Sequence, residues 1–183
     1  MRSTGEVLGL EENFPLVFYK SQVGSGTAKV AGSELPHAPA AWENKKVLIS
    51  LSNKESQKDQ VLMIGKTLKD LGFTLVGTQG TADFYNANGI KCEVVNKIGG
   101  GRPDVVDLIM NKEVCLVINT PKAKRNYAED RKTIRKMCLK YKVSYITTIA
   151  GALAAVKGIA AVKGGHGGEG NVKSLQEYHA LIK

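Results

Sequence analysis

Cysteine is scarce in this 183-residue chain: only Cys92, Cys115 and Cys138 occur, far apart and without a C-x-x-C pair. That spacing excludes a disulfide scaffold and a zinc ribbon, and apolar surroundings such as "VCLVI" predict buried free thiols. His37, His166 and His179 stand in unrelated contexts, so no metal-ligand spacing exists and no metal is assigned. Aromatic residues make up 6% of the chain and do not interleave with the basic ones, which leaves nucleic acid without a stacking platform. No apolar run is long enough to span a bilayer, and "MRSTGEVLGLEENF" lacks the hydrophobic core of a secretion signal. The expectation is a cytoplasmic protein with no membrane and no nucleic-acid partner.

Acidic residues are also few, 17 against 26 Lys and Arg, which gives a net charge of +9. A basic surface suits phosphorylated small molecules or an acidic protein partner, and charge alone does not choose between them. Hydrophobic residues at 43% and the length itself provide for one domain with a real core plus an extension.

After a link rich in Gly, Pro and Ala, strand-like and helix-like pieces alternate. "KVLISLS" (46–52), "FTLVGT" (73–78), "CEVVN" (92–96), "VCLVINT" (114–120) and "SYITT" (144–148) read as five strands, most of them near-continuously apolar as in parallel sheets. Between the first two, Val61, Ile64, Leu68 and Leu71 fall at helical spacing, with Lys58, Lys66 and Lys69 on other faces and Gly72 closing the helix. "TADFYNANG" reads as a short helix capped by Thr81 and stopped by Gly89, and Pro103 fits the first turn of "PDVVDLIMNK". "EDRKTIRKMCLKYK" is a basic helix, and "AGALAAVKGIAAV" and "SLQEYHALI" close the chain as helices. Right-handed βαβ crossovers then build an α/β fold, a three-layer α/β/α sandwich around a parallel sheet.

Ligands of such sheets bind beyond the carboxyl ends of the strands. Here those ends carry Ser52 to Lys58, Thr78 to Thr81, Asn96 and Lys97, Asn119 to Pro121, and Thr147 and Thr148. The set holds lysines, hydroxyls and an Asn, with no Cys, no His and no carboxylate pair. It is equipped to hold an anion and has no evident group to transform one. "TQGT" (78–81) fits both a plain βα turn and half of a phosphate cradle.

"GTQGTA", "VNKIGGGRPDVVDLI", "LVINTP", "IRKMCLKYKVSYITT" and "VKSLQEYHALIK" together resemble the C-terminal allosteric domain of the carbamoyl-phosphate synthase large subunit, of methylglyoxal-synthase-like fold. The resemblance covers roughly residues 45–183, while "RSTGEVLGL" and "FPLVFYKSQVGSG" within 1–44 resemble the tail of the preceding ATP-grasp synthetase domain plus a linker, as in a terminal piece of a larger enzyme.

The resemblance implies a five-stranded sheet of order 3-2-1-4-5 and a pocket for a nucleoside monophosphate effector, UMP or IMP. Its phosphate would be held by Lys58, Thr78, Thr81 and Lys97, with Asn119 and Thr120 near the sugar or base, and Thr147 at a second effector site for ornithine. Pro121 stands where bacterial relatives carry Thr. Implied partners are the synthetase domains and a glutaminase small subunit, with room for a homo-oligomer. The chain itself is expected to carry no cofactor, since ATP and Mg belong to the synthetase domains, and the implied role is regulation of carbamoyl phosphate synthesis for pyrimidines and arginine. The rival reading is a methylglyoxal synthase-type lyase acting on dihydroxyacetone phosphate. Against it, the loop reads "GGGRPD", with the Asp displaced behind Arg102 and Pro103, and no His stands at a strand tip.

Overall fold

Five short apolar segments pair side by side in a computed structural model that describes residues 7–24, 45–52, 56–120, 128–166 and 173–182. They are β1 (Lys46–Ser50), β2 (Thr74–Thr78), β3 (Cys92–Val95), β4 (Val114–Asn119) and β5 (Ser144–Ile146). All pairings are parallel and the strand order is β3-β2-β1-β4-β5, as the resemblance implies. β4 is buried along its whole length, which is why its sequence shows no polar alternation.

One face of the sheet is covered by α1 (Phe14–Gly24), α2 (Lys58–Asp70), α3 (Gln79–Ala87) and α6 (Ile149–Ala161). The other is covered by α4 (Val105–Met110) and α5 (Ala128–Tyr141). A π-helical turn (Val162–His166) extends α6, and α7 (Leu175–Ala180) buries no residue of its own.

The helix after β1 forms for the reason its spacing predicts. Val61, Ile64 and Leu68 are fully buried and Leu71 nearly so, while Lys58, Lys66 and Lys69 are exposed. Each such aliphatic side chain contributes about 1.5–3 kcal/mol on leaving water, most of it offset by chain entropy. α2 meets α3 at Gly65, where a Cβ would come within 2.3 Å of the Tyr85 ring. The Tyr85 hydroxyl donates to the Val61 carbonyl at 3.0 Å, so a large ring is buried with its polar atom satisfied.

Two helix starts differ from the sequence reading. α3 begins at Gln79 with Thr78 as N-cap, not Thr81, because the Thr81 hydroxyl is engaged across the sheet. α4 is capped by Asp104 in a capping box with Asp107, which leaves Pro103, after a cis Arg102–Pro103 peptide, outside the helix and not in its first turn. β1, β3, β4 and β5 also end one or two residues earlier than the apolar runs suggest. Cys92, Cys115 and Cys138 are buried free thiols, as their surroundings predict.

Within the N-terminal extension, α1 packs on α6, and Leu16 and Tyr19 join the same buried cluster as the sheet. No described helix is long and apolar enough to cross a membrane. Pro121, His37, residues 53–55 and most of the Gly- and Pro-rich link lie outside the described residues.

Candidate functional site

A cavity of about 160 Å³ opens over the carboxyl ends of β1, β2 and β4. Its polar wall is built from Ser50, Ser52, Thr78, Thr81, Asn119 and Thr120, with Gly80 of the first turn of α3 beside them. Its apolar wall is the underside of the α4/α5 layer together with the sheet: Leu48, Val105, Val117 and Ile134 face it. Charge enters from two flanks, with Lys97 on the loop after β3 and Asp130 and Arg131 on the first turn of α5.

Two threonine hydroxyls hold this rim together. Thr81 Oγ1 accepts from the Leu51 amide at 3.1 Å, and Thr120 Oγ1 accepts from the Ser52 amide at 3.0 Å. The Thr120 amide in turn donates to the Ser50 carbonyl at 2.9 Å. A hydroxyl that accepts one bond still has its own proton to give. Thr78, though the N-cap of α3, makes no side-chain capping bond, and it lines the cavity. The turn therefore brings hydroxyl groups and the positive end of α3 to one place, an arrangement that favours an anion.

The loop carrying Lys97 is fixed at its base by Asn96. The Asn96 carbonyl accepts from the Val105 amide at 3.1 Å, and its side-chain amide donates to the Pro103 carbonyl at 3.2 Å. Gly101 takes φ +114, a conformation costly for any side chain, beside that amide. The nearby carboxylates are committed to structure. Asp104 is buried and accepts from the Val106 and Asp107 amides at 2.8 and 3.1 Å, while Asp107 accepts from the Asp104 amide and pairs with Arg102. On the β4 side, Asn119 Nδ2 donates to the Tyr145 hydroxyl at 3.3 Å. Burial raises the pKa of that phenol above its ordinary value, with the Asn119 bond acting the other way, so it stays protonated at neutral pH.

The cavity thus gathers Thr78, Thr81, Lys97, Asn119 and Thr120. Lys58, exposed at the start of α2, is not in its lining, nor is Thr147, exposed just before the α6 N-cap Thr148. Asp130 and Arg131 line it without having been singled out by sequence. Their only signal is position, at the start of the helix that follows β4. No described Cys or His borders the cavity, and burial pushes the Cys92, Cys115 and Cys138 thiols up to about 12. Among the described residues no cluster of His, Cys, Asp and Glu is suited to a metal ion.

Residues 60–147 match the family model of the MGS-like domain, with which the sheet order agrees. Over nearly its whole length the chain is also similar to carbamoyl phosphate synthase large chains. It is 41% identical to that of Archaeoglobus fulgidus over 179 residues, covering 98% of this chain and 15% of the relative. Against the C-terminal section of the large chain from Methanopyrus kandleri it is 40% identical over 163 residues, 89% of this chain and 28% of that one. The Mesorhizobium japonicum large chain is 39% identical over 180 residues, with 98% and 14% covered. Residues 60–147 carry an MGS-like domain, and the chain is similar over nearly its whole length to one part of carbamoyl phosphate synthase large chains. It spans only about 15% of the length of the Archaeoglobus fulgidus and Mesorhizobium japonicum large chains.

Proposed function

We propose that this chain is a regulatory domain of a cytoplasmic carbamoyl phosphate synthase and that its rim cavity binds a nucleoside monophosphate, UMP or IMP. The observation that carries the reading is that Thr78, Thr81, Lys97, Asn119 and Thr120, drawn from loops and strands distant in sequence, line one cavity. Hydroxyls, a helix start and an ammonium suit a phosphate at one end, and the slot formed by Leu48, Val105, Val117 and Ile134 suits a planar base. Lys58, exposed at the start of α2 and outside the cavity lining, is assigned to the same clamp.

Regulation then requires that the nucleotide bind the active and inactive arrangements of the larger enzyme with different affinities; a coupling of about 1–3 kcal/mol is typical. That enzyme would form carbamoyl phosphate from bicarbonate, glutamine and two ATP, using ATP and Mg in synthetase domains and ammonia from a glutaminase subunit, for the pyrimidine and arginine pathways. Thr147, exposed before α6, is assigned to a second, ornithine-like site completed by an adjoining synthetase domain.

The lyase reading finds little support, because Asp104, the carboxylate of the Gly-rich loop, is buried in helix capping and does not line the cavity. Calorimetric titration with UMP, IMP and ornithine tests the proposal, with Thr81→Ala and Lys97→Ala expected to weaken nucleotide binding. Phosphate release from dihydroxyacetone phosphate at enzymic rates would reject it in favour of the lyase.

A further inference from the structure

Beyond its first turn, α5 carries charge of one sign. Residues 131–142 hold six Lys and Arg and no Asp or Glu. At 3.6 residues per turn, Lys132, Arg135, Lys136, Leu139 and Lys140 fall within one arc of about 140°, and all five are exposed. Ile134 and Cys138, on the opposite arc, are buried. Lys132 pairs with Glu129 at 2.9 Å, but among the described residues Arg135, Lys136 and Lys142 form no ion pair, and Lys140 lies over the Tyr141 ring at 5.5 Å. None of the five lines the cavity.

Such a face works against the helix that bears it. Lys132 and Lys136, Lys136 and Lys140, and Arg131 and Arg135 stand four apart with like charge, and each such pair weakens a helix that alternating signs would strengthen. Leu139, 71% exposed, sits in the middle of these cations. An aliphatic anchor ringed by charge is the pattern of an interface centre with its rim.

We propose that the exposed face of α5 docks an acidic amphipathic helix of a separate protein, Leu139 seating against its aliphatic side chains and Arg135, Lys136 and Lys140 against its carboxylates. Charge selects the occupant. A second copy of this chain, with its net charge of +9, is repelled. Nucleic acid wants rings to stack on, and the arc offers none, since Tyr141 is half-buried beside Lys140. A domain joined through α1, whose sequence resembles the end of a synthetase domain, approaches from the other face of the sheet, where α1 packs on α6. From Lys132 to Lys140 the stripe runs roughly 12 Å, which matches two turns of a helix laid alongside.

The test is calorimetric binding to the full chain of a synthetic helical peptide of Glu with Leu at every third or fourth position. Polyglutamate of equal charge, a DNA duplex and phosphatidylserine vesicles serve as rivals. The wild type should bind the amphipathic peptide about tenfold or more tighter than any rival, and the affinity should fall as salt rises. Leu139→Ser should bring the peptide down to the level of polyglutamate, and the double variant Arg135→Glu, Lys136→Glu should abolish binding of both, while Lys97→Ala changes neither. If the double variant melts early, Lys136→Gln replaces it: by removing two like-charge pairs it should raise the melting temperature slightly, yet weaken the peptide about threefold or more. Failure to bind the peptide, tighter binding of the duplex or the vesicles, or binding indifferent to the changes at Lys136 and Leu139 overturns the docking face, whatever the cavity binds.

Discussion

The two faces of the sheet are built to different standards of closure. On one, α1, α2, α3 and α6 cover the strands, and Ile64, Leu68, Tyr85 and Ile159 sit fully out of water. On the other, two helices suffice, and one of them, α4, has only six residues. Leu48, Val105, Val117 and Ile134 on that face belong both to the core and to the wall of the cavity. A short helix leaves the carboxyl rim of the strands uncovered, and the uncovered rim is where a ligand gains access. One layer secures the fold, and the thinner one gives up packing for a binding site.

The sharpest way to break this contrast is a matched pair of truncations. Ile64→Ala, in the closed layer, should cost about 3–4 kcal/mol by urea unfolding, whereas Ile134→Ala, which borders an existing void, should cost about 1–2 kcal/mol and alter nucleotide affinity as well. Equal costs would mean that the cavity wall is packed as tightly as the opposite core. Next in size, Thr81→Ala leaves the Leu51 amide without its acceptor in a buried setting and should destabilise by about 1–3 kcal/mol. Lys97→Ala should leave the unfolding midpoint unchanged, since Lys97 is exposed, yet reduce nucleotide affinity about tenfold or more.

Even the closed layer has one defect. Among the described residues the buried Tyr19 hydroxyl has no hydrogen-bond partner, and burial pushes its pKa up to about 12. Tyr19→Phe should therefore stabilise by up to about 1 kcal/mol, and a loss of stability would reveal a bond that the geometry does not show. The smallest effect concerns Glu11, whose bond to Lys20 at 2.5 Å holds its carboxyl below the ordinary value. A lowered carboxylate pKa adds stability above its unfolded value near 4.5 and loses it as pH falls through the folded one. Glu11→Gln should accordingly lower the unfolding midpoint slightly at pH 7 and not at all well below pH 4.5.

Periodicity made the sheet readable: β4 is an unbroken apolar run, and Val61, Ile64, Leu68 and Leu71 trace the buried stripe of α2. What periodicity does not encode is contact between distant segments. Thr81 looks like a local N-cap because Ser and Thr before a helix usually are, and only the folded chain shows its hydroxyl committed to Leu51, thirty positions away. Pro103 looks like a helix start for a similar reason, and the Asp104–Asp107 capping box that begins at the next residue decides otherwise. At the site, residues on the strands and their immediate turns could be listed from the sheet rule alone. Arg131 could not, because it lies one full connection beyond β4, and Lys58, on the list, stands away from the lining.

The tethering of Leu51 and Ser52 by Thr81 and Thr120 makes those two amides natural spectroscopic probes. When an occupant accepts a hydrogen bond from the Thr81 or Thr120 hydroxyl, the electron density of that oxygen shifts, and the amide leaning on it changes resonance frequency. Filling of the rim should be visible in an ordinary nitrogen–proton spectrum, without any attached dye.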